Sequence, residues 1–92
     1  TTTEAVEHLK NEGFTVFAIE QVTKKTWLQD IQVKSDEKYA LVFGNEVKGV
    51  SNDVLPLVDD CIEIPQFGTK HSLNISVSAG IVIWEFFRQM EY

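Results

Sequence analysis

Arginine is nearly missing from this sequence, and none precedes Arg88. Eight basic residues stand against fourteen acidic ones, for a net charge of −6. That is the wrong sign for a domain that binds nucleic acid unaided, which carries a basic face. Any role on RNA must draw its positive charge from parts other than these residues, or from a partner subunit. Cysteine is scarce as well. Cys61 stands alone, which rules out an internal disulfide and fits a reducing cytosol. It lies in "DDCIEIP", which reads as a buried strand, so an inert core thiol is expected there rather than a nucleophile. No apolar run approaches the roughly 20 residues that cross a bilayer. The opening "TTTEAVEHLK" has neither the basic end nor the apolar centre of a signal peptide. It also starts without methionine, as an excised or processed piece of something longer would. Neither His8 nor His71 has a cysteine or carboxylate at metal-ligand spacing, so no metal site is expected.

What is present is enough for one small globular domain. The chain has 92 residues, of which 43% are hydrophobic and 11% aromatic. That length lies near the lower edge of what a single core stabilises alone. The pattern alternates between helix and strand. "TTTEAVEHLKNEG" offers threonine N-caps, Val6 and Leu9 at helical spacing, and Gly13 where a C-cap belongs. "FTVFAIE" is a strand by its β-branched and aromatic content. "VTKKTWLQDI" is ambiguous, with a short helical turn packing Trp27 and Leu28 inward as one reading. "KYALVFG" is a second strand whose apolar continuity predicts burial on both faces. In "SNDVLPLVDD", Ser51 is a candidate N-cap for a helix that Pro56 must end early. "CIEIP" is a third short strand, and "GTKHS" a loop.

The last stretch, "SLNISVSAGIVIWEFFRQM", is in conflict with itself. Leu73, Ile75 and Val77 alternate with polar residues as in a half-buried strand. From Val82 through Ile83, Phe86, Phe87 and Met90 the spacing is helical. Either a strand precedes a helix, or the whole is one helix whose small residues permit close backbone approach.

Strands alternating with helices predict an α/β domain with a mainly parallel sheet flanked by helices. Ligands in such sheets bind beyond the carboxyl ends of the strands. "GNEVKG" follows the strand ending near Phe43, and "QFGTKHS" follows the one ending near Ile64, so both polar loops fall at that end. Gly44 and Gly49 bracket the first loop and Gly68 sits in the second. Each glycine permits positive φ or a close backbone approach, and each also fits an ordinary turn. The first loop lacks the G-x-x-x-x-G-K-[ST] arrangement that cradles phosphates, and it is no G-x-G-x-x-G fingerprint.

Together, "LVFGNEVKGVS" and "IEIPQFGTKHSLNISVSAG" resemble the second and third sequence motifs of the SpoU family of RNA ribose methyltransferases, of the knotted SPOUT class. The matching parts are G-N-E-x-x-G after a strand and I-P-x-x-G-x-x-x-S-L-N-x-S-x-[AS] behind it. The resemblance covers about half the chain closely. It implies S-adenosylmethionine-dependent methylation of a ribose 2′-hydroxyl in tRNA or rRNA, on a sheet whose C-terminal segment threads a loop into a trefoil knot. By the same resemblance, Gly44, Ile64 and Leu73 hold the cofactor through backbone groups, with Gly49 and Gly68 shaping the loops around it. Ile64 and Leu73 would flank the adenine. Glu46, Ser72 and Asn74 match the polar site residues, and the final segment becomes a helix from about residue 73 to 91. That helix is expected to serve both the cofactor site and a homodimer interface.

The chemistry agrees with that assignment. Methyl transfer from a sulfonium is an in-line displacement, so catalysis is largely positioning. A 2′-hydroxyl attacks poorly unless its proton is removed or strongly hydrogen-bonded. Asn74 has donor and acceptor groups for orienting a ribose or a catalytic side chain. Glu46 would act through a local network. Ser72 serves equally well as an N-cap for the last helix. His71 occupies a variable position of the pattern, is expected to face solvent and is not assigned as the base.

One departure from the family pattern is an absence. The first motif, with an asparagine and an arginine, has no counterpart in residues 1–40. Residues 1–92 are therefore expected to be the C-terminal portion of the catalytic domain, cytoplasmic, carrying the cofactor side of the site and weak or inactive in isolation. The alternative is a module that keeps the fold for dimerisation or RNA binding without catalysis.

Overall fold

A computed structural model describes residues 1–20, 25–44, 49–65 and 75–91. The first helix, α1 (Thr2–Asn11), starts as its sequence predicts. The Thr1 hydroxyl accepts the Glu4 N–H at 3.2 Å, and the Glu4 side chain returns to the Thr1 backbone to complete a capping box. It stops before Gly13, whose N–H reaches back to the Lys10 carbonyl at 3.0 Å and whose φ of 90° turns the chain out of the helix. The strands are β1 (Phe14–Ile19), β2 (Thr26–Trp27), β3 (Lys38–Phe43) and β4 (Asp60–Glu63). They form one four-stranded sheet in the order β2-β4-β1-β3, with every pairing parallel. The final helix, α2 (Ile75–Glu91), covers one face.

Strand alternation divides the core into two layers. Val16, Ala18 and Cys61 point to one side, where they pack with Val6 of α1 and with Val50 and Val54. Phe17 and Ile62 point to the other, where Val82 and Phe86 of α2 meet them, with Tyr39, Leu41 and Phe43 of β3 alongside. The rings of Phe17 and Tyr39 stack at 5.9 Å, and Phe86 meets both edge-on. Burying a side chain such as Phe86 stabilises the docked helix by about 1.5–3 kcal/mol.

A second device fixes the far end of α2. The Gln89 amide donates to the Ile31 carbonyl at 3.0 Å and accepts the Val33 N–H at 2.9 Å, as a neighbouring strand would. Glu85 orients that amide at 2.6 Å and also pairs with Arg88 at 2.6 Å. The Arg88 hydrogen bonds, then that of Gln89, hold the Glu85 carboxyl below its usual range.

Three local expectations are corrected. Trp27 does not pack inward: it is 38% exposed, with the Lys25 ammonium 4.8 Å from its ring centroid, and only Leu28 is buried there. That segment is a two-residue strand followed by a 3-10 turn over Leu28–Asp30. Residues 51–58 form turns and a 3-10 turn over Leu55–Leu57 instead of an α-helix. Ser51 contributes its carbonyl there, accepting the Val54 and Leu55 N–H groups, and Pro56 sits within the 3-10 turn. Finally, β3 is half-buried, because it lies at an edge of the described sheet. The sequence conflict in the last segment resolves as helix from Ile75 onward, since Val82 and Phe86 at i and i+4 provide the buried stripe. The expected threading of the C-terminal segment into a knot falls outside the described residues.

Candidate functional site

Parallel pairing sends β1, β3 and β4 out of the sheet at one edge. Ile19 pairs with Phe43 on one side and Ile62 on the other, so Glu20, Gly44 and the Glu63–Ile64 step emerge side by side. The Glu20 N–H donates to the Ile62 carbonyl at 3.1 Å, which extends the ladder to that rim. β1 separates Gly44 from Ile64, a gap of about 10 Å by ordinary strand spacing.

The first loop then folds back on its own start. Gly49 and the Val50 nitrogen lie so close to Gly44 that a Cβ there would sit 2.6 Å from the Gly49 Cα and closer still to the next backbone atoms. No side chain fits between two backbones at that separation. Gly49 has a φ of 69°, a left-handed conformation costly for any residue with a Cβ. The two glycines that bracket "GNEVKG" are therefore one feature, a backbone-on-backbone crossing. Beside it, the Val50 N–H donates to the Glu20 Oε2 at 2.7 Å.

Glu20 was not among the residues singled out from the sequence. Its signal was available: an acid placed immediately after a run of strand residues, at the carboxyl end. Sequence reasoning also missed the pair that braces β2 against β4 at the same rim. Lys25 and Glu63 are 3.1 Å apart and largely buried, and the Thr26 hydroxyl donates to Asp60 at 2.6 Å. Below the rim, burial pushes the Cys61 thiol up, and the charges of Asp60 and Glu20 add to that, so it stays protonated and inert as expected.

Of the residues assigned from the sequence, Gly44, Gly49 and Ile64 are described: Gly44 and Gly49 are in contact, and Ile64 lies at the same edge across β1. Glu46, Gly68, Ser72, Leu73 and Asn74 lie outside the described residues, as does His71. Glu46 falls within the loop whose two ends Gly44 and Gly49 hold in contact. Among the described residues no group of three His, Cys, Asp or Glu is placed to hold a metal ion. Backbone groups freed of side chains, with an apolar Ile64 across β1, suit a flat, polar-edged ligand such as an adenine nucleoside, held by main-chain hydrogen bonds.

Comparison with known proteins agrees with the geometry. The sequence model of the SpoU rRNA Methylase family matches residues 1–84. The tRNA (guanosine(18)-2′-O)-methyltransferase TARBP1 of Mus musculus is 39% identical over 84 residues, covering 91% of this chain and 5% of that protein. The tRNA (guanosine(18)-2′-O)-methyltransferase of Aquifex aeolicus is 39% identical over 87 residues, covering 89% of this chain and 38% of its own length. The chain thus spans well under half of these relatives. Among solved structures, the A. aeolicus TrmH/SpoU tRNA modifying enzyme superposes with a TM-score of 0.87 at 32% identity, over 99% of this chain and 45% of that one. The SpoU methyltransferase AviRb from Streptomyces viridochromogenes, solved with AdoMet, gives 0.76 at 26% identity, over 96% of this chain and 34% of that one.

Two glycine substitutions should separate the crossing from an ordinary turn. Gly44→Ala forces backbone against backbone and should destabilise the chain by about 1–3 kcal/mol. Gly80→Ala, in α2 where nothing lies within 4 Å of the added carbon, should leave stability unchanged or raise it by about 0.5–1 kcal/mol. Urea unfolding midpoints of the two variants measure the difference, and equal midpoints would contradict the crossing.

Proposed function

The chain belongs to the SpoU rRNA methylase family, and on that premise we propose that it is the cofactor-holding, C-terminal portion of the catalytic domain of an RNA 2′-O-ribose methyltransferase. The observation that carries this reading is the Gly44–Gly49 crossing at the same sheet edge as Ile64, in the two stretches that match the family's motifs. Bound S-adenosylmethionine would supply a methyl group on a sulfonium, an electrophile that an RNA 2′-hydroxyl attacks in line. Gly44, Gly49 and Ile64 hold the adenine side through main-chain groups, with Leu73 and Gly68 completing the cradle. By the motif match, Asn74 is assigned to orienting the reacting groups by hydrogen bonds, Ser72 to the polar side of the site and Glu46 to steadying the loop that bears it. Removal of the 2′-hydroxyl proton is assigned to a group outside these 92 residues, where an arginine can also meet the substrate phosphates. That division of labour accounts for the net charge of −6. The substrate class follows relatives named as tRNA (guanosine(18)-2′-O)-methyltransferases, and the cytoplasm is the compartment that suits a lone reduced thiol.

A catalytically silent module for dimerisation or RNA binding is the alternative. It has no need of G-N-E after β3 or of S-L-N before α2, and both are intact. Incubating the whole protein with S-adenosylmethionine and transcribed tRNA, then assaying for 2′-O-methylnucleosides, decides between them. Asn74→Ala should lower turnover far more than it lowers stability. A loss within about twofold, roughly 0.4 kcal/mol of barrier, would reject its role.

The homodimer reading draws support from α2. Its buried stripe is occupied by Val82 and Phe86, and Phe86 is only 5% exposed, so it is committed to the chain's own core. The opposite face carries Val77, Ile81, Ile83, Trp84 and Phe87, with Trp84 57% and Phe87 47% exposed and their rings 6.0 Å apart. A helix apolar on both sides is one that packs on both sides, and aromatics of this kind are enriched in interface cores. We therefore assign Trp84 and Phe87 to a two-fold contact with a second copy. Sedimentation of the whole protein should give dimers for the wild type and monomers for Trp84→Glu and Phe87→Glu. A wild type that is monomeric at high micromolar concentration would refute the contact.

A further inference from the structure

We propose that Glu20 is a positioning residue for the cofactor loop, a carboxylate latch that holds the return of the 44–50 loop closed against Gly44. The inference rests on the reading that this loop cradles the methyl donor. Three observations support it. Glu20 is the first residue beyond β1, and its N–H is bonded to Ile62, so its side chain springs from a rigid rim of the sheet. Its Oε2 accepts the Val50 N–H at 2.7 Å, a charge-assisted bond to the residue where the loop re-enters the core. The same oxygen occupies the space a Cβ of Gly49 would take, so glycine there makes room for the carboxylate. Glu20, Gly49 and Gly44 therefore form one stack across the rim, with an acid touching a loop end that touches a loop start.

The consequence for binding is entropic. A loop held shut before the ligand arrives has less freedom to lose when it binds, and preorganisation of this kind appears directly as affinity. A latch acts on the shape of the loop and so affects every ligand of the cradle alike. A counter-charge acts on the positive sulfonium of S-adenosylmethionine and spares the neutral thioether S-adenosylhomocysteine. The two roles are separable by measuring both ligands.

The test uses the whole protein with Glu20→Ala and Glu20→Gln. Amide hydrogen exchange at Val50 reads the latch without any ligand, and protected amides at Val16 and Ala18 verify that the sheet is intact. Calorimetry then gives the Kd for S-adenosylmethionine and for S-adenosylhomocysteine. Glu20→Ala should speed Val50 exchange and raise both Kd values by about tenfold, the scale of one lost hydrogen bond to a charged acceptor. Glu20→Gln keeps an acceptor oxygen and should lose less on both measures. Unchanged Val50 exchange in Glu20→Ala would overturn the latch. Faster exchange with both Kd values unchanged would overturn its link to the cofactor. A loss confined to S-adenosylmethionine would identify a counter-charge and overturn positioning. A wild type that binds neither ligand would remove the cofactor reading itself, while the exchange of Val50 would still report separately on whether Glu20 closes the loop.

Discussion

The contact between Gly44 and Gly49 is the constraint around which this chain is arranged. After β3 the backbone leaves the sheet and comes back to touch its own point of departure, at a separation that excludes any side chain. From that crossing Val50 and Val54 enter the core beside Val6 and Val16, and the chain is delivered to the start of β4 next to β1. Asp59 completes the delivery: it donates its N–H to the Val16 carbonyl at 2.8 Å and accepts the Val16 N–H on its carboxylate at 2.7 Å.

The opposite face of the sheet is held differently. α2 is docked by apolar packing around Phe86 and tethered at its end by the Gln89 amide, which mimics a strand partner for residues 31 and 33. Such a tether satisfies half-buried backbone groups and fixes helix rotation, so one stripe of α2 faces the core and the other, with Trp84 and Phe87, faces away. A small chain gains little from a helix apolar on both sides unless the outer side also packs, which is why the proposed dimer contact and the proposed site belong to one account. The first turn of the described helix, beginning at Ile75, follows directly on the stretch that carries Leu73 and Asn74.

Much of this was legible before any coordinates. The periodicity and caps of α1, the β-branched runs of β1 and β3, and the position of both polar loops at the carboxyl edge follow from local chemistry that the fold does not override. The resemblance in "LVFGNEVKGVS" and "IEIPQFGTKHSLNISVSAG" assigned Gly44, Gly49 and Ile64 to one site, and the strand register puts Gly44 and Ile64 at the same sheet edge, on either side of β1. The misreadings have physical causes. Trp27 looked like a core residue, but β2 is a two-residue edge where the ring meets the Lys25 ammonium instead of the core. Ser51 looked like a helix cap, but Pro56 two turns on permits only a 3-10 turn. Glu20 escaped notice because its partner is a backbone N–H 30 residues away, and no local pattern encodes such a bond. The helical fate of Ile75 and Val77 depended on tertiary packing, since their alternation suits a strand equally well.

The central claim is that the rim shared by β1, β3 and β4 is where a methyl-donor nucleoside binds. Titrating S-adenosylhomocysteine into isotopically labelled protein and following backbone amide shifts tests it residue by residue. The account predicts large, saturable shifts at Gly44, Gly49, Val50 and Ile64, with Phe14 and Lys38 at the opposite ends of the strands unmoved. Shifts centred on Phe14 and Lys38, or none along the rim at saturating ligand, would contradict it.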